Sequence, residues 1–256
     1  MLEAFLQGKL SKSQENIEDL LTSTVFGAVR REDANLGLLP ILKIATELCG
    51  NNPIKNVESL SADYKSYLFW PFWEQQNSIA SCEPDLVIRI NVSGSKNILL
   101  LIEVKYHSAL SSWSDGSDIV TNQLAKEWLH ISQRAGDDYI PWLIFLTSDF
   151  YAPRQEVEDA LSEIQTKYNE VEGITTPNIS WLSWRQLSEL FINKPDDDIS
   201  PSLRDVSVLL QRLGLTYFNG FGGYSDLIPV SYTFTKPIVI FQWRLAKLSS
   251  PSWSFT

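Results

Sequence analysis

The segment EPDLVIRINVSGSKNILLLIEVK, residues 83–105, decides the fold that this sequence predicts. It holds two runs rich in branched aliphatic residues, 86–91 and 96–105, and the turn sequence Val92-Ser93-Gly94-Ser95 separates them. Two such runs joined by a short glycine-containing turn predict an antiparallel β-hairpin. The second run is apolar at odd and even positions alike, which is typical of a strand covered on both faces of its sheet.

Three charged residues lie at the open end of this hairpin. Side chains alternate between the two faces of a strand, so Glu103 and Lys105 share one face. Asp85 begins the first strand, and the hairpin brings it back beside Glu103. Two carboxylates and an ammonium group supply what phosphodiester hydrolysis needs, namely hard oxygen ligands for Mg²⁺ and a cation beside the attacking water. The alternatives are a same-face ion pair for Glu103 and Lys105 and a turn aspartate for Asp85.

Hydrophobic periodicity and turn signals predict the elements around the hairpin. Helices are expected over residues 13–29, 38–48, 119–134, 154–168, 184–191 and 202–213. Further strands are expected over 67–73, 141–147 and 179–182, with a final hairpin over 227–245. This order predicts an α/β fold in which helices flank a central mixed sheet. We expect one domain in residues 1–192, and a C-terminal extension of helices and a hairpin, packed on that domain, in residues 193–256.

The formal net charge of −10 argues against a protein that binds nucleic acid through its overall charge. A catalytic cleft needs only a locally basic rim, and a bound divalent metal neutralises part of an acidic cluster. A DNA-cutting protein of this charge is therefore expected to depend on a protein partner or on a homo-oligomer for targeting.

Other sequence features indicate the cellular compartment, the state of the cysteines and the type of metal site. The first residues lack a signal-peptide pattern and the longest later apolar run, 98–102, is too short for a bilayer, so we expect a cytoplasmic protein without a membrane contact. Cys49 and Cys82 are expected to be thiols, because they stand far apart and the compartment is reducing. His107 and His130 are too few for a histidine-based metal site, although a substrate contact stays open for His107.

Four motifs, in chain order, resemble those of the PD-(D/E)XK nuclease superfamily. Pro84-Asp85 matches the first half of the signature and Glu103-Val104-Lys105 the second, with 18 positions from Asp85 to Glu103. Upstream, Glu18-Asp19-Leu20-Leu21-Thr22 looks like the E-x-x-L-T stretch that supplies an acid in many members. Downstream, Gln123 with Trp128 is similar to the glutamine-plus-aromatic element of the RecB-like branch. That branch usually carries a tyrosine four positions after the glutamine, whereas this chain has a tryptophan at five. The resemblance covers roughly residues 13–147.

The resemblance implies a restriction-endonuclease-like core, which consists of a helix, a strand meander, a helix and a strand. It also implies a metal site for Mg²⁺ or Mn²⁺. Asp85, Glu103 and the main-chain carbonyl of Val104 would hold the ion, and Glu18 would bind the ion or its water shell.

Two further residues receive roles from the same resemblance. Lys105 would position or activate the attacking water, and Gln123 would orient Lys105 or the phosphate. Without the resemblance, Glu18 would be an ordinary acid of a surface helix and Gln123 an ordinary residue of a helix start.

The activity that the resemblance implies is Mg²⁺- or Mn²⁺-dependent endonuclease action on DNA, in restriction, antiviral defence or repair. Two alternatives come from other classes of protein. One is a catalytically inactive nuclease-fold protein that binds a partner, and the other is an interaction protein whose function is its acidic surface.

Overall fold

The computed structural model describes residues 15–76, 78–106, 119–167, 176–193 and 199–217 of the chain. His107 and the hairpin predicted over 227–245 lie outside these residues, as do the first two residues of the helix predicted over 13–29. The chain separates into one unit from Met1 to Tyr217 and another from Phe218 to Thr256, and every described residue belongs to the first.

The described residues form six α-helices and seven strands. The helices are α1 Glu15–Val29, α2 Leu38–Lys43, α3 Gln123–Ala135, α4 Arg154–Lys167, α5 Trp184–Ile192 and α6 Pro201–Arg212. The strands are β1 Thr46–Cys49, β2 Leu60–Ser61, β3 Tyr67–Phe69, β4 Leu86–Val92, β5 Asn97–Lys105, β6 Tyr139–Thr147 and β7 Ile179–Ser183.

All these strands belong to one seven-stranded mixed sheet with the order β1-β7-β6-β5-β4-β2, in which β3 also pairs with β4. The predicted hairpin is confirmed: β4 and β5 are antiparallel, and Gly94 in the turn has a φ of 73°. β5 runs parallel to β6 along its whole length, from Asn97 opposite Tyr139 to Lys105 opposite Thr147. The C-terminal ends of these two central strands therefore meet at the same edge of the sheet.

The sheet separates two layers of helices, and β5 contributes to both. Its even-numbered positions 98 to 104 pack in a hydrophobic cluster with α1, α2, α5 and α6. Positions 99 and 101 pack in a second cluster with α3 and α4. The predicted α/β class, a mixed sheet flanked by helices, is confirmed. By the same alternation Glu103 comes next on the side of α3.

Helix α6, which lies in the segment predicted as a C-terminal extension, is part of this body. Leu203, Val206 and Leu210 of α6 are buried in the same cluster as α1 and α5. Burial of each such side chain contributes on the order of 1.5–3 kcal/mol to folding. The described residues up to Tyr217 thus share one packed core on each side of the sheet.

One predicted helix was wrong in its second half. The helix expected over 38–48 ends at Lys43, and Thr46–Cys49 forms β1, which pairs antiparallel with β7. Without β1, the edge of β7 would carry unpaired backbone groups. Pairing them outweighs the weak helical preference of these few residues.

Two other boundaries differ from the prediction by several residues, and one strand was not predicted. The strand expected over 67–73 ends at Phe69, because Trp70 takes a positive φ of 47°. The helix expected from residue 119 begins at Gln123, since the side chain of Asn122 caps it by accepting a bond from the N–H of Ala125. The two-residue strand β2 lies in a stretch that was expected to be without strands.

The state of the cysteines and the apolar length of the helices are two further features of the fold. Cys49 and Cys82 are both free thiols, as expected. Within the described part of the chain, no helix is long and apolar enough to cross a membrane.

Gly50 and Gly94 offer a matched test of the β1 assignment. Both have positive φ, so an alanine at either position costs about 1–2 kcal/mol in backbone strain. A Cβ at Gly50 would also lie 2.5 Å from the carbonyl oxygen of Pro177, whereas a Cβ at Gly94 meets nothing within 4 Å. We expect Gly50→Ala to lower the free energy of unfolding clearly more than Gly94→Ala does, as measured by urea titration. Equal losses would contradict the close approach after β1.

Candidate active site

The predicted site residues lie around the C-terminal end of β5. Asp85 precedes β4, and its Oδ2 accepts a hydrogen bond of 2.8 Å from the main-chain N–H of Val104. The side chain of Asp85 is buried, with 7% of its surface exposed. The hairpin thus brings Asp85 beside the Glu103-Val104-Lys105 segment, where the sequence placed it.

An ion-pair chain links β5 to α1. The Lys105 Nζ lies 2.7 Å from Oε1 of Glu103 and 3.5 Å from Oε1 of Glu18. Oε2 of Glu18 accepts a hydrogen bond of 2.6 Å from the main-chain N–H of Tyr106. Glu18, 88 positions earlier in the chain than Tyr106, therefore holds both the strand end and the lysine.

Gln123 reaches the same group from the opposite layer. It is the first residue of α3, and its Nε2 donates a hydrogen bond to Oε1 of Glu103. Oε1 of Glu103 thus accepts from Gln123 and Lys105 together. The structure brings together all the side chains that the sequence assigned to the site: Glu18, Asp85, Glu103, Lys105 and Gln123.

Glu127 is a member of this cluster that the sequence analysis missed. It lies one helical turn after Gln123 on α3, has 1% of its surface exposed, and shares a side-chain hydrogen bond with Glu103. Trp128, the aromatic residue assigned to the motif, is instead fully buried in the cluster of α3 and α4. The missed signal is the spacing of Gln123, Glu127, His130 and Arg134, a polar line at intervals of four, three and four along an apolar helix.

Burial dominates the electrostatics of the carboxyl groups. It raises the pKa of Asp85 well above its usual range, and the charge of Glu103 raises it further. Burial and the charge of Glu127 raise the pKa of Glu103 to about 8. Burial also raises the pKa of Glu127, to about 7, although Lys105 acts against it.

The pKa of Lys105 is also raised, but neighbouring charges and not burial are the cause. Burial alone would lower the pKa of its ammonium group, but the charges of Glu103, Glu18 and Asp85 outweigh burial and raise that pKa. The lysine is therefore a permanent cation in this cluster at neutral pH. It acts as a fixed positive charge and donor, and its deprotonation would be unfavourable.

Two buried carboxyl oxygens lack a donor. Oε2 of Glu103 and Oε2 of Glu127 receive no hydrogen bond from an N–H or O–H group of the described residues. A hydrogen bond between two carboxyl groups requires a proton on one of them. The pair therefore needs a positive charge, which a proton or a metal ion can supply.

The donor set fits a hard divalent cation. Carboxylate and carbonyl oxygens are the preferred ligands of Mg²⁺ and Mn²⁺, and Asp85, Glu103 and the main-chain carbonyl of Val104 supply them at the end of β5. Among the described residues, no group of three histidine, cysteine, aspartate or glutamate side chains has the arrangement of a metal site. Mg²⁺ does not require one, because it is usually held by one or two carboxylates together with waters and substrate phosphate.

His130 and several tryptophans are buried in the interior. His130 is fully buried on α3, and its Nε2 lies 2.9 Å from the carbonyl oxygen of Ala80. The buried tryptophans include Trp70, Trp73, Trp142, Trp181 and Trp184.

No protein-family model, no curated protein and no solved structure matches this chain. The functional assignment therefore depends on the residues of the cluster and on their geometry.

Glu127→Gln tests the electrostatics of the cluster without metal, in EDTA. The pKa of Glu127 is raised from 4.5 to about 7, so between these values the folded protein holds a proton that the unfolded chain has lost. The free energy of unfolding must then fall as the pH rises through this window. We expect the variant to match wild type near pH 4.5 and to exceed its stability at pH 8, as measured by urea denaturation. A constant difference between the proteins across this range would contradict the buried acid pair.

Proposed function

We propose that this protein is a metal-dependent nuclease that hydrolyses phosphodiester bonds in DNA. The observation that carries the proposal is the Lys105 ammonium, held between Glu103 and Glu18 beside the buried carboxylate of Asp85. An ion pair of purely structural value does not need further buried carboxylates, because each additional burial costs several kcal/mol. Groups with strongly shifted pKa values that converge at one strand end are typical of catalytic sites.

The order of elements supports a restriction-endonuclease-like fold within the proposal. Helix α1 comes first, and after α2, β1 and β2 the strands β3, β4 and β5 pair antiparallel in sequence and are followed by α3 and β6. The resemblance stated from the motifs implies this order of a helix, a strand meander, a helix and a strand. The motif residues lie at equivalent places in it, with Glu18 on the first helix and Gln123 on the second.

Each residue receives a role that its contacts support. Asp85 and Glu103, with the carbonyl of Val104, would hold Mg²⁺ or Mn²⁺. Such an ion, when bound, lowers the pKa of a coordinated water and stabilises charge on the phosphate. Lys105 is a permanent cation positioned to orient the attacking water and to stabilise the extra negative charge of the phosphate in the transition state.

Two residues position these groups. Gln123 donates to Oε1 of Glu103, the same oxygen that Lys105 contacts, and Oε2 has no donor among the described residues. Glu18 contacts Lys105 and the main chain of Tyr106, which fixes the lysine at the end of the strand. Glu18 would thus serve chiefly to position Lys105, and would contact a metal only through its water shell.

The net charge of −10 suggests that the enzyme needs a partner to bring it to DNA. Long-range attraction of DNA to the protein would be weak, since the overall charge opposes it. We therefore include a protein partner or a second copy of the chain as the targeting element. Restriction, antiviral defence and repair in the cytoplasm are the settings in which such an enzyme would work.

One observation favours a second candidate, an inactive nuclease-fold protein that binds a partner. The described residues contain no group of three side chains with the arrangement of a metal site. A chain that had lost metal binding would retain the fold and the ion pair of Glu103 and Lys105, but would not cut DNA.

A cleavage assay separates the two candidates. Wild-type protein is incubated with supercoiled plasmid and with linear DNA in Mg²⁺, in Mn²⁺ and in EDTA. We expect metal-dependent cutting, and we expect Glu103→Gln and Lys105→Met each to lower the rate by about 100-fold or more, as loss of one transition-state contact does. Cutting is measured by gel electrophoresis over time.

Conservative changes away from the cluster serve as matched controls. Glu158→Gln alters an exposed acid of α4, and Lys55→Met alters a lysine whose side chain is 72% exposed. Both controls should cut at the wild-type rate. If the two site variants also cut at that rate, the site assignment is wrong. If wild type cuts under no condition, the inactive candidate replaces the nuclease.

A further inference from the structure

Glu127 is the buried acid of the cluster to which the sequence resemblance gives no role. It stands four positions after Gln123, where the RecB-like branch usually has a tyrosine. A tyrosine is uncharged at neutral pH, whereas Glu127 adds a carboxyl group to the interior of the site. The difference therefore changes the charge that the site must accommodate.

The contacts of Glu127 differ from those of a structural carboxylate in the same region. Glu163 on α4 accepts hydrogen bonds from the main-chain N–H groups of Thr121 and Asn122, at 3.2 and 2.8 Å. Its charge is thus used to hold the start of α3. By contrast, Oε2 of Glu127 receives no donor from the described residues, although only 1% of the residue is exposed.

Glu103 presents a complementary oxygen to Glu127. Its Oε1 is occupied by Lys105 and Gln123, while its Oε2 also lacks a donor. The two side chains are within hydrogen-bond distance of each other. Each of the two neighbouring side chains therefore has one buried carboxyl oxygen without a donor from the described residues, in a region from which bulk water is largely excluded.

Ionisation of its carboxyl groups gives the cluster an excess of negative charge, which protons or a divalent cation can offset. Glu18, Asp85, Glu103 and Glu127 carry four carboxylates when all are ionised, and Lys105 is the ammonium that pairs with Glu18 and Glu103. Buried ions of one sign are stable only when opposite charge accompanies them. A divalent cation bound to the open oxygens would offset most of the remaining excess.

We propose that Glu127 is a ligand of the divalent cation and binds it together with Oε2 of Glu103. This inference rests on the proposed function and assigns one more residue to its metal site. Helix α3 then contributes twice to the site: Gln123 fixes Oε1 of Glu103, and Glu127 completes the binding position beside Oε2. The two residues reach the same carboxylate because they are one helical turn apart.

Mn²⁺ binding without DNA tests the proposal directly. Wild type, Glu127→Gln, Glu127→Asp and the exposed control Glu158→Gln are titrated with Mn²⁺ by calorimetry, and free Mn²⁺ is followed by electron paramagnetic resonance. We expect Glu127→Gln to weaken Mn²⁺ binding by at least about tenfold. Glu127→Asp, which keeps the charge on a shorter side chain, should weaken binding less, and Glu158→Gln should bind as wild type does. Near-UV circular dichroism of the buried tryptophans checks that each variant is folded.

The outcomes distinguish this inference from the proposed function. Wild-type affinity in folded Glu127→Gln overturns the inference, as does a wild type that binds no Mn²⁺. If that variant keeps its affinity while wild type cuts DNA, Glu127 is not a ligand and the nuclease proposal stands. If the variant loses affinity but wild type does not cut DNA, the cation site stands and the nuclease proposal falls.

Discussion

The burial of several carboxyl groups around one ammonium ion is the constraint on which the site depends. Asp85, Glu103 and Glu127 lie in the interior at the end of β5, and Lys105 is the cation between them. Replacing such a cluster with apolar side chains of similar volume is often neutral or stabilising. Its cost in stability therefore indicates a use other than folding. The donors around it, from Gln123 to the N–H of Val104, offset part of that cost and also fix the geometry.

The topology explains why these groups meet. β5 is buried on both faces. Its side chains alternately pack against the layer of α1 on one side and the layer of α3 on the other. Where the strand ends, residues of both layers can reach the same point. Glu18 on α1 contacts Lys105, and Gln123 on α3 contacts Glu103. Because β6 ends at the same edge, this point lies at the end of the two central parallel strands, which is a common place for sites in α/β sheets.

The sequence predicted the local parts of this arrangement better than the distant ones. The β4–β5 hairpin followed from two aliphatic runs and one glycine-containing turn, which are properties of adjacent residues. β1 was missed because its strand character comes from pairing with β7, far along the chain. Glu127 was missed for a related reason: an acid on an amphipathic helix is usually solvated, and only the packing of α3 against the sheet makes it buried. The positions of Glu18 and Gln123 could be anticipated only through motif order, since no local property links them to Glu103.

The net negative charge of the protein and the negative charge of the cluster would both oppose DNA binding. A phosphate that approaches the end of β5 meets carboxylates in excess of ammonium groups, and unlike surface charges these are poorly screened by salt because they are buried. Under the proposed function, the approach of phosphate becomes favourable only when a divalent cation has reversed this local balance. Metal binding would then come before, or together with, DNA binding. Under the proposed function, DNA binding would therefore depend on the metal ion, because both the net charge of the protein and the buried glutamates oppose the approach of phosphate.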